Sequence, residues 1–491
     1  MLRKIRTTLA AVFFILITLL FLDFTGTLHH WLSWLSKIQF LPAVMALNVI
    51  VVVALIVLTL VFGRIYCSII CPLGVFQDVL ARFHRKKNKY GYSKEMKWLR
   101  YPVLVVFVLA GVTGIGSLFQ LLAPYSSYGR IATMIFQPIW KAGNNLLAMV
   151  AERMESYAFY SVDTWMRSLP VLLIAAVTLV VLFILAWRGG RTYCNTICPV
   201  GTILSFFARF SWLKIKFDAD KCKNCSLCSK NCKAACIDFK THTVDYSRCV
   251  VCGNCIDSCK FGALKYFGGA SQTRKSSDSS EIDTSKRSFL LATALITTGA
   301  MAQKKEKLMD GGLAEIEDKV APERQTPLTP PGSLSFQNLS TRCTGCQLCV
   351  SECPNQVLRP SSDLMHLMQP TMSYEHGYCH PECTRCSEVC PAGAIKPVDK
   401  PEKTTIQIGH AVWIKKNCVV LTDEVECGNC ARHCPSGAIE MVPLDADNEE
   451  SPMVPAINEA ACIGCGACEY VCPSRPFSAI YVEGHEVHKK I

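Results

Sequence analysis

The chain has 491 residues, half of them hydrophobic, with mean hydropathy +0.25 and a formal charge of +12. It has room for about three ordinary domains, and it is too apolar for an ordinary soluble protein and far from the composition of a disordered one. Its 29 cysteines are not needed to staple a chain of this size, so metal ligation is the leading reading. The charge is split, with 34 Lys+Arg against 14 Asp+Glu in residues 1–302 and 17 against 25 in residues 303–491. The basic excess flanks apolar segments, which membrane orientation explains and nucleic-acid binding does not.

Apolar stretches at about 8–27, 42–62, 102–122 and 169–187 each approach the roughly 20 residues that cross a bilayer as a helix. Residues 1–216 are therefore expected to form a membrane domain with four transmembrane helices. Loop 64–101 holds nine Lys/Arg and two acids, and loop 28–41 one base. Positive charge stays inside, so the N-terminus, loop 64–101 and the segment after 187 are expected to be cytoplasmic. Loops 28–41 and 123–168 then face out, with Trp31 and Trp34 in an outer interfacial belt. His29 and His30 lie near that outer surface. They read as interfacial residues without a special task more readily than as the lining of a quinol pocket.

An internal repeat runs through this part at an offset of 127. Arg64-Ile-Tyr-Cys-Ser-Ile-Ile-Cys-Pro-Leu-Gly74 matches Arg191-Thr-Tyr-Cys-Asn-Thr-Ile-Cys-Pro-Val-Gly201. Cys67 with Cys71, and Cys194 with Cys198, are spaced to share one helical face, and Pro72 and Pro199 suit a helix start or break. Two equivalent pairs at the inner membrane surface can converge on one further cluster, act as a dithiol relay, or remain reduced structural thiols.

Residues 217–268 hold Cys222, Cys225, Cys228 and Cys232, then Cys249, Cys252, Cys255 and Cys259. This is the spacing of a two-cluster bacterial ferredoxin, an α+β domain expected on the cytoplasmic side. Three cysteines of one loop reach three irons of a cubane, and the fourth ligand comes from the other motif. One cluster is expected on Cys222, Cys225, Cys228 and Cys259, the other on Cys249, Cys252, Cys255 and Cys232. Zinc sites also use C-x2-C pairs but group them two and two. Lys233 and Lys260 stand where a proline often follows the fourth cysteine. Cys236 reads as a small packing residue.

Residues 269–340 read as a linker. Within it, Ser285-Lys-Arg-Ser-Phe-Leu-Leu291 and an apolar run to about 302 resemble a twin-arginine export signal, with Lys286-Arg287 in place of two arginines. The competing reading is a fifth membrane segment. Residues 341–491 carry four quartets: Cys343, Cys346, Cys349 and Cys353; Cys379, Cys383, Cys386 and Cys390; Cys418, Cys427, Cys430 and Cys434; and Cys462, Cys465, Cys468 and Cys472. Each ends in Cys-x3-Cys-Pro, which points to four 4Fe-4S clusters in an exported, periplasmic α+β ferredoxin-like domain. Disulfides are the alternative in an oxidising compartment. Export of a folded, cofactor-loaded domain answers it.

With these motifs residues 1–268 resemble the NapH-type membrane polyferredoxins, and residues 285–482 the NapG/MauM-type exported ferredoxins, here fused. The resemblance implies passage of electrons from quinol, or from a cytoplasmic donor, to a periplasmic reductase or c-type cytochrome across a bacterial inner membrane. It implies six 4Fe-4S clusters, with a seventh if Cys67, Cys71, Cys194 and Cys198 join in. It also implies nesting in the last domain, with the first quartet paired to the fourth and the second to the third. Quinol oxidation is the one enzymatic reading, since no nucleophile–base arrangement, Walker loop or dinucleotide fingerprint stands out. A maturation or regulatory factor that keeps a periplasmic metalloenzyme reduced is the alternative.

Overall fold

The computed structural model describes residues 2–83, 90–156, 158–218, 220–268, 319–445, 447–448 and 451–491. The export-signal reading at 285–302 lies outside them.

Two helices, Leu2–Leu22 and Leu169–Gly189, are each 21 residues long and apolar enough to cross a membrane. The other two expected spans are interrupted. Residues 42–62 break at Leu47 and Asn48 into Phe40–Met45 and Val49–Phe62, because Leu47 turns left-handed and Asn48 caps the second helix through Val51 N–H. Residues 102–122 break at Gly114, whose φ of 76° ends Lys97–Thr113 before Gly116–Leu122 begins. All four apolar segments keep bulky residues exposed, among them Ile15, Ile50, Val112 and Val177. The stretch 123–168 is mostly helical: Pro124–Ile131, a π-helical turn Ala132–Phe136, and Gln137–Arg153.

The cysteine-rich parts are built on small antiparallel pairs. Leu213–Phe217 pairs with Leu264–Gly268 around the first. In the last domain Leu358–Pro360 pairs with Pro370–Met372, Ile439–Pro443 with Met453–Ile457, and Ile406–Trp413 with the C-terminal Ile480–Lys490. Residues 320–335, read from sequence as linker, lie against this domain. Val320 N–H donates to Asn417 (2.9 Å), Thr326 N–H to Glu483 (2.8 Å), and Leu328 is buried.

The two cysteine-rich parts sit at opposite ends of Leu2–Leu22. At its N-terminal end Arg3 pairs with Asp257 (3.5 Å). Just beyond its C-terminal end, Asp23 and Glu352 flank His29. At about 1.5 Å per residue the helix is about 31 Å long.

Candidate iron–sulfur centres

Every cysteine of the chain is a free thiol. Among the described residues no three cysteine sulfurs lie within 4.8 Å of one another. The thiols are grouped in fours, three from one C-x2-C-x2-C loop or its variant and one from another motif, and that donor set fits 4Fe-4S clusters.

The loops explain the grouping. In the C-x2-C-x2-C motifs the second and fourth residues after the first cysteine turn left-handed: Asn224 and Ser226, Val251 and Gly253, Gly345 and Gln347, Gly464 and Gly466. This winds backbone N–H groups toward the enclosed sulfurs, as where Gly345 N–H donates to Cys343 Sγ (3.4 Å).

In the two-cluster domain Cys222, Cys225, Cys228 and Cys259 line one cavity. Cys255 has Cys252, Cys232 and Cys249 as its foremost electrostatic neighbours, with Cys228 of the other group behind them. Both groupings are the expected ones. Cys236 Sγ lies 3.6 Å from Cys232 Sγ, against the second group.

The last domain differs from the nested expectation. Cys343, Cys346 and Cys349 gather with Cys390, and Cys379, Cys383 and Cys386 line a cavity with Cys353. Cys418, Cys427 and Cys430 do so with Cys472, and Cys462, Cys465 and Cys468 with Cys434. The first quartet interlocks with the second and the third with the fourth, because each fourth cysteine follows a short helix that turns it toward the other motif of its pair. The two pairs abut where Cys379 N–H donates to Cys465 O (2.9 Å).

The repeat cysteines converge as well. Cys67, Cys71, Cys194 and Cys198 are all buried and electrostatic neighbours of one another. The two members of a pair do not share a continuous helix. Cys67 lies within Tyr66–Ile69, and Cys71 is the extended N-cap of Pro72–Leu80; Cys194 and Cys198 repeat this in Thr192–Thr196 and Pro199–Ala208. Each repeat's arginine serves the other repeat. Arg191 donates to Cys67 O (2.6 Å), and Arg64 to Cys194 O (3.2 Å). Gly74 and Gly201 permit this closeness, since a Cβ there would lie 2.2 Å and 2.3 Å from the carbonyl oxygens of Cys67 and Cys194. Gln77 donates to Cys194 Sγ (3.2 Å) and Gly201 N–H to Cys198 Sγ (3.4 Å). Burial pushes the Cys194 thiol up to about 11 even though Arg191 and Arg64 pull it down. Metal ligation would relieve that cost by neutralising thiolate charge.

This quartet lies between the two cysteine-rich parts. On one side Arg191 N–H donates to Lys233 O (2.9 Å) and Asn195 to Ala234 O (3.2 Å), directly after Cys232. Lys233, placed where a proline was expected, also meets Asp78 at 3.4 Å. On the other side Tyr193, beside Cys194, lies next to Ser127. Two residues on, Gly129 packs against Cys346 O, which a Cβ would approach to 2.2 Å. One helix, Pro124–Ile131, thus separates the repeat quartet from the first quartet of the last domain.

His29 is not the interfacial residue expected. It is buried, with Nδ1 2.7 Å from Glu352 and 3.4 Å from Asp23. The signal available in sequence was Asp23, six residues upstream; the distant Glu352 could not be seen.

A family described as a 4Fe-4S binding domain matches residues 44–90 and 168–219, the two copies of the repeat, and a 4Fe-4S dicluster domain matches 342–394 and 425–475. A further 4Fe-4S binding domain matches 242–265. The methylamine utilization ferredoxin-type protein MauM of Paracoccus denitrificans is 30% identical over 165 residues, 33% of this chain and 73% of the relative. The chain belongs to the MauM family of ferredoxin-type proteins. It is also similar to the ferredoxin-type protein NapH of Escherichia coli, 27% identical over 229 residues (45% of this chain, 67% of the relative). An uncharacterized protein of Methanocaldococcus jannaschii is 26% identical over 283 residues, 56% of this chain and 89% of the relative. No solved structure matches significantly. Multiple 4Fe-4S ferredoxin domains are therefore present, and an iron–sulfur electron-transfer role is supported.

Proposed function

We propose that the chain is a multi-pass protein of a bacterial inner membrane that conducts electrons between its cytoplasmic two-cluster domain and its periplasmic four-cluster domain. Quinol is one source of those electrons and a periplasmic reductase or cytochrome their destination. The repeat quartet Cys67, Cys71, Cys194 and Cys198 holds a seventh cluster that joins the two parts. When bound, each cluster supplies reversible one-electron chemistry.

The observation that carries this reading is the burial of the repeat quartet between Cys232–Ala234 and the helix that packs on Cys346. The hydrocarbon core is about 30 Å thick, and without a cofactor between the two ferredoxin parts it would be a gap. The chain's own residues set the order. The packing of Gly129 on Cys346 O supports an order in which the Cys343 group comes first after the repeat quartet, and the contact between Cys379 and Cys465 supports a line that continues into the second pair. The matching length of Leu2–Leu22, the apolar exposure of the four apolar segments and the two membrane-length helices support the topology.

The test uses quinone-free liposomes containing the full chain in one orientation, with ferricyanide inside and an impermeant reductant outside. Reduction of the enclosed ferricyanide is expected, and Cys194→Ser should abolish it. Crossing that appears only after quinone is added would refute the seventh-cluster bridge.

A further inference from the structure

A cavity of about 350 Å³ opens between the π-helical turn Ala132–Phe136, the helix Gln137–Arg153, residues 163–167 and the first turn of Leu169–Gly189. Ligand pockets begin at about 300 Å³. Its inner wall carries hydrogen-bonding groups with nothing to bind. Thr133 Oγ1 and Arg167 Nη1 are buried without partners, and Thr133 is 2% exposed. The Lys141 side chain, 7% exposed, adds a third donor. Buried polar groups are almost always paired, so two unpartnered ones beside the Lys141 ammonium on the wall of a cavity point to a ligand with oxygen acceptors.

The rest of the lining says what kind of ligand. Leu172 belongs to a helix long and apolar enough to cross a membrane. The neighbouring helix leaves Ile139, Leu146 and Val150 exposed, so the entrance lies at an apolar surface. The back wall includes Gln356, three residues after Cys353, and Arg167 is close enough to Cys353 for their charges to interact. The π-helical turn fits a site of this kind, since such turns recur where a helix has been adapted to a ligand.

We propose that this cavity binds the headgroup of a membrane quinol or quinone, with Thr133, Lys141 and Arg167 hydrogen-bonded to its ring oxygens. The proposal rests on the electron-transfer reading above and names the site of its lipid-soluble partner. Quinol oxidised here would give quinone, two electrons passed one at a time to a cluster that Cys353, Cys379, Cys383 and Cys386 would hold, and two protons released past the Asp163 carboxylate to water. Burial and Arg167 together bring Lys141 down to about 8, which suits a donor that must release its ligand near neutral pH.

The test is equilibrium binding of menadione to the full chain in detergent, together with stopped-flow bleaching of the clusters by menadiol. Wild type should bind saturably. Thr133→Val and Lys141→Met should each weaken binding and slow bleaching about ten-fold or more, with iron content and dithionite bleaching unchanged. Saturable binding that both variants leave intact overturns the site, as does the absence of menadione binding by wild type. Either failure leaves the liposome assay with its impermeant reductant untouched, so loss of this site and loss of the electron path can be told apart.

Discussion

Replacing Asp78 by Ala should loosen the joint between the two-cluster domain and the membrane part. Asp78 is 8% exposed and accepts two bonds from Arg191 and one from Arg6, all 2.9 Å, while Lys233 Nζ stands 3.4 Å away. Burial would raise its carboxyl, but these cations hold it far below the usual carboxylate range. Removing one partner of a buried ion pair costs about 3–5 kcal/mol, because the opposite charge stays buried and uncompensated. That is roughly two to four decades in the folded ratio. The three charge-assisted bonds at about 1.5–3 kcal/mol each would sum to more, but they share one desolvation, so the pair figure is the better bound. In detergent the variant's apparent melting temperature should fall by roughly 10 °C, and the 217–268 domain should become more sensitive to protease. Lys233→Met should give part of the effect. An Asp78→Ala protein that melts within a degree of wild type, with an unchanged proteolytic pattern, would show that these charges do not hold the joint.

The interlocking of consecutive quartets predicts that Cys353→Ser and Cys379→Ser damage the same cluster. Iron analysis of the double variant should show no greater loss than either single one, whereas additive losses would restore the nested pairing. Gly201→Ala forces a Cβ to within 2.3 Å of Cys194 O and 2.7 Å of Arg64 Nη2, and an overlap with backbone cannot be relieved by a rotamer. It should lose about four iron per chain, while Gly143→Ala, which meets nothing within 4 Å, should lose none. Burial tends to lower the His29 pKa, but Asp23 and Glu352 hold it above its ordinary value. The contact it makes with the last domain should therefore be fully present below about pH 6.5 and be lost as pH rises through the raised value. Melting curves between pH 6 and 9 should slope downward for wild type and flatten for His29→Gln; equal slopes would refute that role.

The ligand groups were legible because cluster binding ties chemistry to spacing. With only two motifs in the 217–268 domain, each fourth cysteine has one other loop to reach, so the groupings could be written down from spacing. The pairing in the last domain was not legible, since four quartets with the same ending do not state which loop each fourth cysteine reaches. The repeat was visible as a string, but its meaning was not. Arg64 and Arg191 act across 130 and 124 residues, and Lys233 looks like a departure from a motif until Asp78 and Arg191 are beside it. The apolar segments were found, yet two of them break internally at Asn48 and Gly114, where capping and a left-handed turn outweigh hydrophobic run length. His29 was misjudged because its partner is 323 residues away. The cavity had no sequence signal beyond isolated polar residues in a segment read as a loop.

The central claim, that the repeat quartet holds a cluster joining two iron–sulfur domains, is tested most directly by iron and acid-labile sulfide per chain in protein purified without oxygen. The account predicts about 28 of each for wild type, falling to about 24 in Cys67→Ser/Cys194→Ser. A wild-type value of about 24 that this double variant leaves unchanged would mean that the four buried thiols bind nothing and that the path is broken at its middle.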